Sequence, residues 1–358
     1  MHWDKEFTHL LGIQYPLIQA PMFGVSTVDM AVAATQAGCL GSLALADIDA
    51  DAAVQVIRAT KKLTDKPFAV NLFVHRIPEV TPELVKKYGE VKAFLETFAA
   101  QHSIDVVIPE LSAFKINEYH SLVDVIIEEN CKIVSFTFGN LDETSIARLK
   151  AVGCILIGTC TSVQEAMILE KSGIDLICVQ GIEAGGHRGS FVDEEIPQIG
   201  GFSLLSQVYD TVDVPLIYAG GISNGRTVLA AQVLGAKGFQ IGSLLCASAE
   251  SSLKYFEKQR LISAREEDVI LTKSFSGRYA RGIKNTFTEA IDDSGYILPY
   301  PYQNKITGVL RAVAKRNENV NFLNLWTGQS LPQFSERSTA DILKQLLADV
   351  EHYRKYSI

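Results

Sequence analysis

Residues Lys132 to Gln180 read KIVSFTFGNLDETSIARLKAVGCILIGTCTSVQEAMILEKSGIDLICVQ. Three short apolar runs, Lys132 to Phe138, Cys154 to Thr159 and Asp175 to Gln180, alternate with two stretches of helical periodicity. That alternation marks parallel βα units whose strands are buried on both faces. Asp142 and Ser162 stand where helix N-caps belong, and each helical stretch ends near a glycine. The same reading extends in both directions. It places strands at Leu17 to Pro21, Leu40 to Leu45 and Pro67 to Phe73 upstream, and at Pro215 to Ala219 and Gly238 to Gly242 downstream, with Asn224 capping the helix between the last two. Eight strands make the expected fold class α/β, a TIM (β/α)8 barrel.

A barrel takes about 250 residues, so a chain of 358 leaves roughly 100 more. The surplus falls in two places. Residues 79–120 form a charged, helix-like insertion that should sit outside the barrel, and the chain after the eighth strand shifts to polar helical sequence and then to the Pro/Tyr-rich run ILPYPYQNK. The expected division is a barrel over 1–245, a second and mainly helical lid subdomain over 246–325, and a segment over 326–358 whose final helix, Thr339 to Tyr353, returns to the barrel. A doubly wound sheet would need a GxGxxG turn after the first strand; the chain has APMFGVST there.

Composition narrows the function. The net charge of −8 argues against a nucleic-acid partner, and the N-terminus has no apolar run suited to a signal peptide or a membrane span. Six cysteines without CxxC spacing suit buried, reduced thiols in a cytoplasmic protein, with no disulfide and no zinc.

The glycines collect after the sixth, seventh and eighth strands, at the end of a barrel where catalysis and phosphate binding occur. After the seventh come Gly220 and Gly221, and after the eighth Gln240, Gly242 and Ser243; their amides and the Ser243 hydroxyl can converge on an anion. The loop Gln180–Gly189, QGIEAGGHRG, is denser still and offers His187 to a ligand, poised for proton transfer. Glu183 and His187 have metal-pair spacing, yet Gly185 and Gly186 between them are poor helix formers, so no metal is expected. In ILPYPYQNK, Tyr300, Tyr302 and Lys305 are the candidate substrate contacts of a proline-stiffened lid: flat faces with hydroxyl tips, and one cation for a small anion.

These motifs resemble the nitronate monooxygenase family, formerly called 2-nitropropane dioxygenase. The resemblance rests on QAPMFG (19–24), NLF (71–73), FTFG (136–139), QGIEAGGHRG (180–189), YAGGISNGR (218–226), QIGS (240–243), SGRYARGIKN (276–285) and LWTGQ (325–329), and the last two point to its first class. It implies an FMN-bearing TIM barrel that oxidises alkyl nitronates with O2 to a carbonyl compound and nitrite or nitrate. The backbone around Ala20 and Met22, the side chains of Asn71 and Gln180, and Gly185 and Gly186 would surround the flavin ring. Gly220, Gly221, Gln240, Gly242 and Ser243 would hold its phosphate, and His187 would face the substrate. Cys39 and Ser243 depart from a common glycine and threonine. The implied partners are a small anionic nitronate, propionate 3-nitronate foremost, and O2, with a homodimer the candidate assembly. Two other readings stay open: a flavin-dependent enoyl-acyl-carrier-protein reductase and a non-enzymatic barrel binding a phosphorylated metabolite.

Overall fold

The computed structural model describes residues 2–46, 48–192, 195–331 and 334–356. Its strands are β1 (Leu17–Gln19), β2 (Gly41–Ala46), β3 (Phe68–Phe73), β4 (Ile133–Thr137), β5 (Ile155–Cys160), β6 (Leu176–Gln180), β7 (Gly186–His187), β8 (Leu216–Ala219), β9 (Gly238–Ile241), β10 (Val269–Thr272) and β11 (Ala280–Ile283). Eight of them form one parallel sheet in the order β1-β9-β8-β6-β5-β4-β3-β2. A parallel bridge between Ile18 and Leu40 joins the end strands: Gln19 N donates to Leu40 O at 2.8 Å and Leu40 N to Leu17 O at 2.9 Å. The sheet closes into a TIM barrel, and each expected strand is present within a residue or two of its expected bounds.

The caps act as the sequence predicts. Asp142 accepts from Ser145 N, Ser162 from Glu165 N, and Asn224 from Arg226 N and Thr227 N, each satisfying amides that helix geometry leaves unpaired. The N-terminal helix Lys5–Leu11 plugs one end of the barrel, where Phe7 and Leu11 join Ile18, Ile133, Ile157, Leu176 and Ile217 in the interior. A side chain at Gly238 would collide with the Phe7 ring, so the plug and this glycine fit each other. All six cysteines are buried free thiols; burial pushes Cys39, Cys178 and Cys246 up to about 12. Among the described residues, no helix is long and apolar enough to cross a membrane.

The second lobe departs from the expected division. Insertion helix Pro82–Gln101 supplies Tyr88, Val91, Leu95 and Ala99 to a core shared with Phe275, Phe287, Ile306, Leu310 and Phe322. The insertion and the segment after the barrel therefore build one lobe, because neither has enough apolar surface to bury alone. That lobe is not purely helical: β10, β11 and β7 form an antiparallel sheet. Nor is ILPYPYQNK a loop throughout. Tyr302 opens helix Tyr302–Arg316 directly after Pro301, and its buried Ile306, Leu310 and Ala314 recur at helical spacing. The final helix, Thr339–Tyr356, packs Ile342, Leu343, Leu346 and Val350 onto the barrel core, three residues longer at its end than expected.

Candidate active site

A cavity of about 480 Å³ opens at the strand ends where the barrel meets the second lobe. Ala20, Met22, Asn71, Gln180, Gly185 and Gly186 line it, as do Gly220, Gly221, Gln240, Gly242, Ser243, His187 and Tyr300. Tyr302 and Lys305 do not. Tyr302 is 2% exposed and donates its hydroxyl to Pro78 O at 2.6 Å, within the second-lobe core. Neither residue is among those lining the cavity, so the structure does not bring them to the place expected of them there.

At one end the glycine loops meet. Gly220 has φ 121° and Gly221 φ 67°, a backbone that L side chains rarely adopt, so this cavity-lining turn calls for glycine. Ser243 Oγ accepts from Gly328 N at 2.9 Å, and Gln329 N donates to Glu183 O at 3.0 Å, so the LWTGQ loop closes over this end. A side chain at Gly185 would press within 2.6 Å of the Gly328 amide nitrogen. Glu183 accepts from Gly201 N at 2.9 Å and from the Tyr218 hydroxyl, so it is a structural carboxylate that braces the loop.

The β1 end is equally fixed. Buried Gln19 accepts from Ser42 N at 2.8 Å and donates to Ser26 Oγ at 2.9 Å, and that hydroxyl also receives Met22 N at 2.9 Å. Asn71 donates to Ser135 Oγ at 2.9 Å. Gln180 clamps the glycine-rich loop with both ends of its amide: Nε2 donates to His187 O at 3.0 Å and Oε1 accepts from Gly189 N at 2.9 Å.

His187 is placed by strand pairing. Antiparallel partners Ala280 and Arg281 hold His187 and Gly186 in register, and Arg188 N donates to Tyr279 O at 2.8 Å. The ring Nε2 lies 2.8 Å from Ser276 Oγ. Phe138, Trp326 and Tyr300 surround the imidazole with centroids at 5.6, 5.4 and 6.5 Å. Phe138 has φ 72°, unusual for a bulky residue and the kind of strain that gathers at functional sites. Burial pushes the His187 pKa down to about 3, and Arg278 and Arg311 act in the same direction, so the ring is neutral at physiological pH.

Sequence reasoning missed several participants. Gly328 and Ser330 line the cavity from the LWTGQ loop, although that motif was in hand only as a family marker. Trp326, Phe138, Asn304 and Arg311 line it too. Arg311 sits in a stretch whose only sequence signal is helical periodicity, and nothing local says which face turns inward.

Strand ends that gather glycine loops at one end of a cavity, with an aromatic-walled imidazole beyond, make the ligand site of a barrel enzyme. The nitronate monooxygenase family profile matches residues 4–349. "Probable nitronate monooxygenase" of Staphylococcus aureus (strain Newman) is 34% identical over 358 residues, covering 99% of each chain. Nitroalkane oxidase from Streptomyces ansochromogenes superposes with a TM-score of 0.88 at 32% identity, covering 98% of this chain and 99% of that one. FabK from Thermotoga maritima gives a TM-score of 0.76 at 26% identity, over 99% and 98%. The chain belongs to the nitronate monooxygenase family and is a flavin-dependent oxidoreductase.

Proposed function

We propose that the protein oxidises alkyl nitronates, propionate 3-nitronate among them, with O2 to a carbonyl compound and nitrite or nitrate, using FMN. The observation that carries this reading is the neutral His187 in its aromatic enclosure, in the field of two arginines, in the same cavity as the glycine-lined anion site. An already ionised substrate suits a positive field and needs no strong base.

FMN fits the residues present. Gly220, Gly221 and Gly242 would receive the phosphate with the Ser243 hydroxyl, and Asn71, Gln180, Gly185 and Gly186 would border the ring. When bound, the flavin supplies electron acceptance from the nitronate and the reaction with O2.

The chain supplies position and field. Among the described residues, His187 Nδ1 has no hydrogen-bond partner, while Nε2 is held by Ser276. Nδ1 is thus the nitrogen left to meet a nitronate oxygen. Phe138, Tyr300 and Trp326 exclude water around it. The six buried free thiols support residence in the cytoplasm.

Oxygen uptake and nitrite release with propionate 3-nitronate test the reading. Nitronate-dependent uptake by the yellow holoenzyme is the expected result. Rapid anaerobic bleaching by NADH, with no uptake on any nitronate, would replace it with the reductase reading.

A further inference from the structure

The cavity does not end at His187. It continues along helix Tyr302–Arg316, where Asn304, Gly308, Arg311, Ala312 and Lys315 form one lengthwise stripe. Two cations lie on that stripe, and they differ. Lys315 is neutralised across the cavity by Glu257, with Nζ and Oε2 2.8 Å apart. Arg311 has no such partner.

Arg311 Nη2 donates to Asn304 O at 2.8 Å and to Asn304 Oδ1 at 2.7 Å, and Nη1 donates to Asn324 Oδ1 at 3.0 Å. All three acceptors are neutral. Among the described residues no carboxylate comes within ion-pair distance of this guanidinium, and its Nε is buried without an acceptor. Burial lowers the pKa only to about 10, so the group stays charged. A charge taken out of water without a counter-ion is costly unless function brings an anion to it. The two asparagines hold the planar fork still, and three bonds leave two of its five N–H groups unused.

We propose that Arg311 is the specificity-determining cation of the cavity and receives a carboxylate carried by the nitronate substrate at the end remote from the reacting carbon. The proposal rests on the nitronate reading and deepens it. It moves carboxylate recognition from Lys305, which does not line the cavity, to Arg311 further along the same helix.

The test compares propionate 3-nitronate with propyl 1-nitronate, which lacks the carboxylate, in the wild-type holoenzyme, Arg311→Met and Arg311→Lys. Arg311→Met should raise KM for the carboxylated nitronate about 10- to 100-fold, the loss expected for a hydrogen bond to a charged group, and raise that for propyl nitronate, which loses only the field of the guanidinium, by a much smaller factor. Arg311→Lys should fall between, keeping the charge and losing the fork. Succinate should compete with propyl nitronate in the wild type and lose most of that inhibition in Arg311→Met. An equal KM change for both nitronates, or none for either, overturns the proposal. Should Arg311→Met fail to accumulate with flavin, the Lys variant and wild-type inhibition decide, and absence of succinate inhibition overturns it. If neither nitronate is oxidised, the functional reading fails on its own, and succinate binding by calorimetry to the wild type and the Lys variant still judges Arg311.

Discussion

His187 and Ser276 stand 89 residues apart in the chain, yet the imidazole Nε2 lies 2.8 Å from the serine hydroxyl. Ser276 is 2% exposed and is itself tied to Arg278, whose carbonyl is 3.1 Å from Ser276 Oγ. One serine proton cannot serve both the Arg278 carbonyl and Nε2. When it goes to the carbonyl, Nε2 carries its own hydrogen and Nδ1 is left as an acceptor; when it goes to Nε2, Nδ1 is the donor.

Ser276→Ala should therefore release the ring without disturbing the flavin. We expect kcat on a nitronate to fall about 3- to 10-fold, the worth of one neutral hydrogen bond, with an unchanged visible spectrum. Equal activity of variant and wild type would remove Ser276 from any positioning role.

The pKa of His187, pushed from 6.5 to about 3, makes kcat/KM for a preformed nitronate flat where an ordinary histidine would titrate. A neutral nitroalkane needs proton abstraction, for which so weak a base is poorly suited, so nitronates should be the far better substrates. His187→Asn should depress nitroalkane turnover more than nitronate turnover. An inflection near pH 6.5 that vanishes in His187→Asn would contradict the neutral-ring assignment.

Stability carries the same signature with a definite sign. Between pH 6.5 and about 3 the unfolded chain binds a proton at His187 that the folded chain refuses, so the native state loses stability as pH falls through that window. His75, lowered to about 4 by burial, adds to the loss. His187→Gln should narrow the Tm difference between pH 7 and pH 4.5, which scanning calorimetry at both values can read.

Cofactor retention should depend on the left-handed glycines. Gly221→Val, at φ 67°, puts a β-branched residue where L side chains are strained. The variant should purify with much less bound flavin, seen in the 450 to 280 nm absorbance ratio. Heat or acid should release FMN from the wild type without a covalent remnant, since no bond to protein is needed. Release of FAD would overturn the mononucleotide assignment.

Tyr302→Phe and Lys305→Met should leave KM for propionate 3-nitronate unaltered, because neither residue lines the cavity. Tyr302→Phe should still lower stability by about 1 kcal/mol through the lost bond to Pro78 O. A selective KM rise in Lys305→Met would restore the lid reading of that run.

The barrel was legible in the sequence because its signals are local. Apolar runs such as DLICVQ, caps at Asp142, Ser162 and Asn224, and glycines after the last strands each act on their immediate neighbours, and the structure shows them in those roles. Gly220, Gly221 and Gly242 could be placed at one end of the barrel for the same reason: strand order along the chain dictates where the loops emerge. Tertiary structure alone decided which distant pieces share the second lobe. Helix Pro82–Gln101 and helix Tyr302–Arg316 bury their apolar faces together, and no periodicity in either names the other as its partner. That packing also set the rotation of the second helix. With Ile306, Leu310 and Ala314 committed to the core, the opposite stripe of Asn304, Gly308 and Arg311 turns to the cavity. His187 likewise was identifiable by type and loop, but the strand pairing with Ala280 that fixes it is a long-range bond that only the assembled fold supplies.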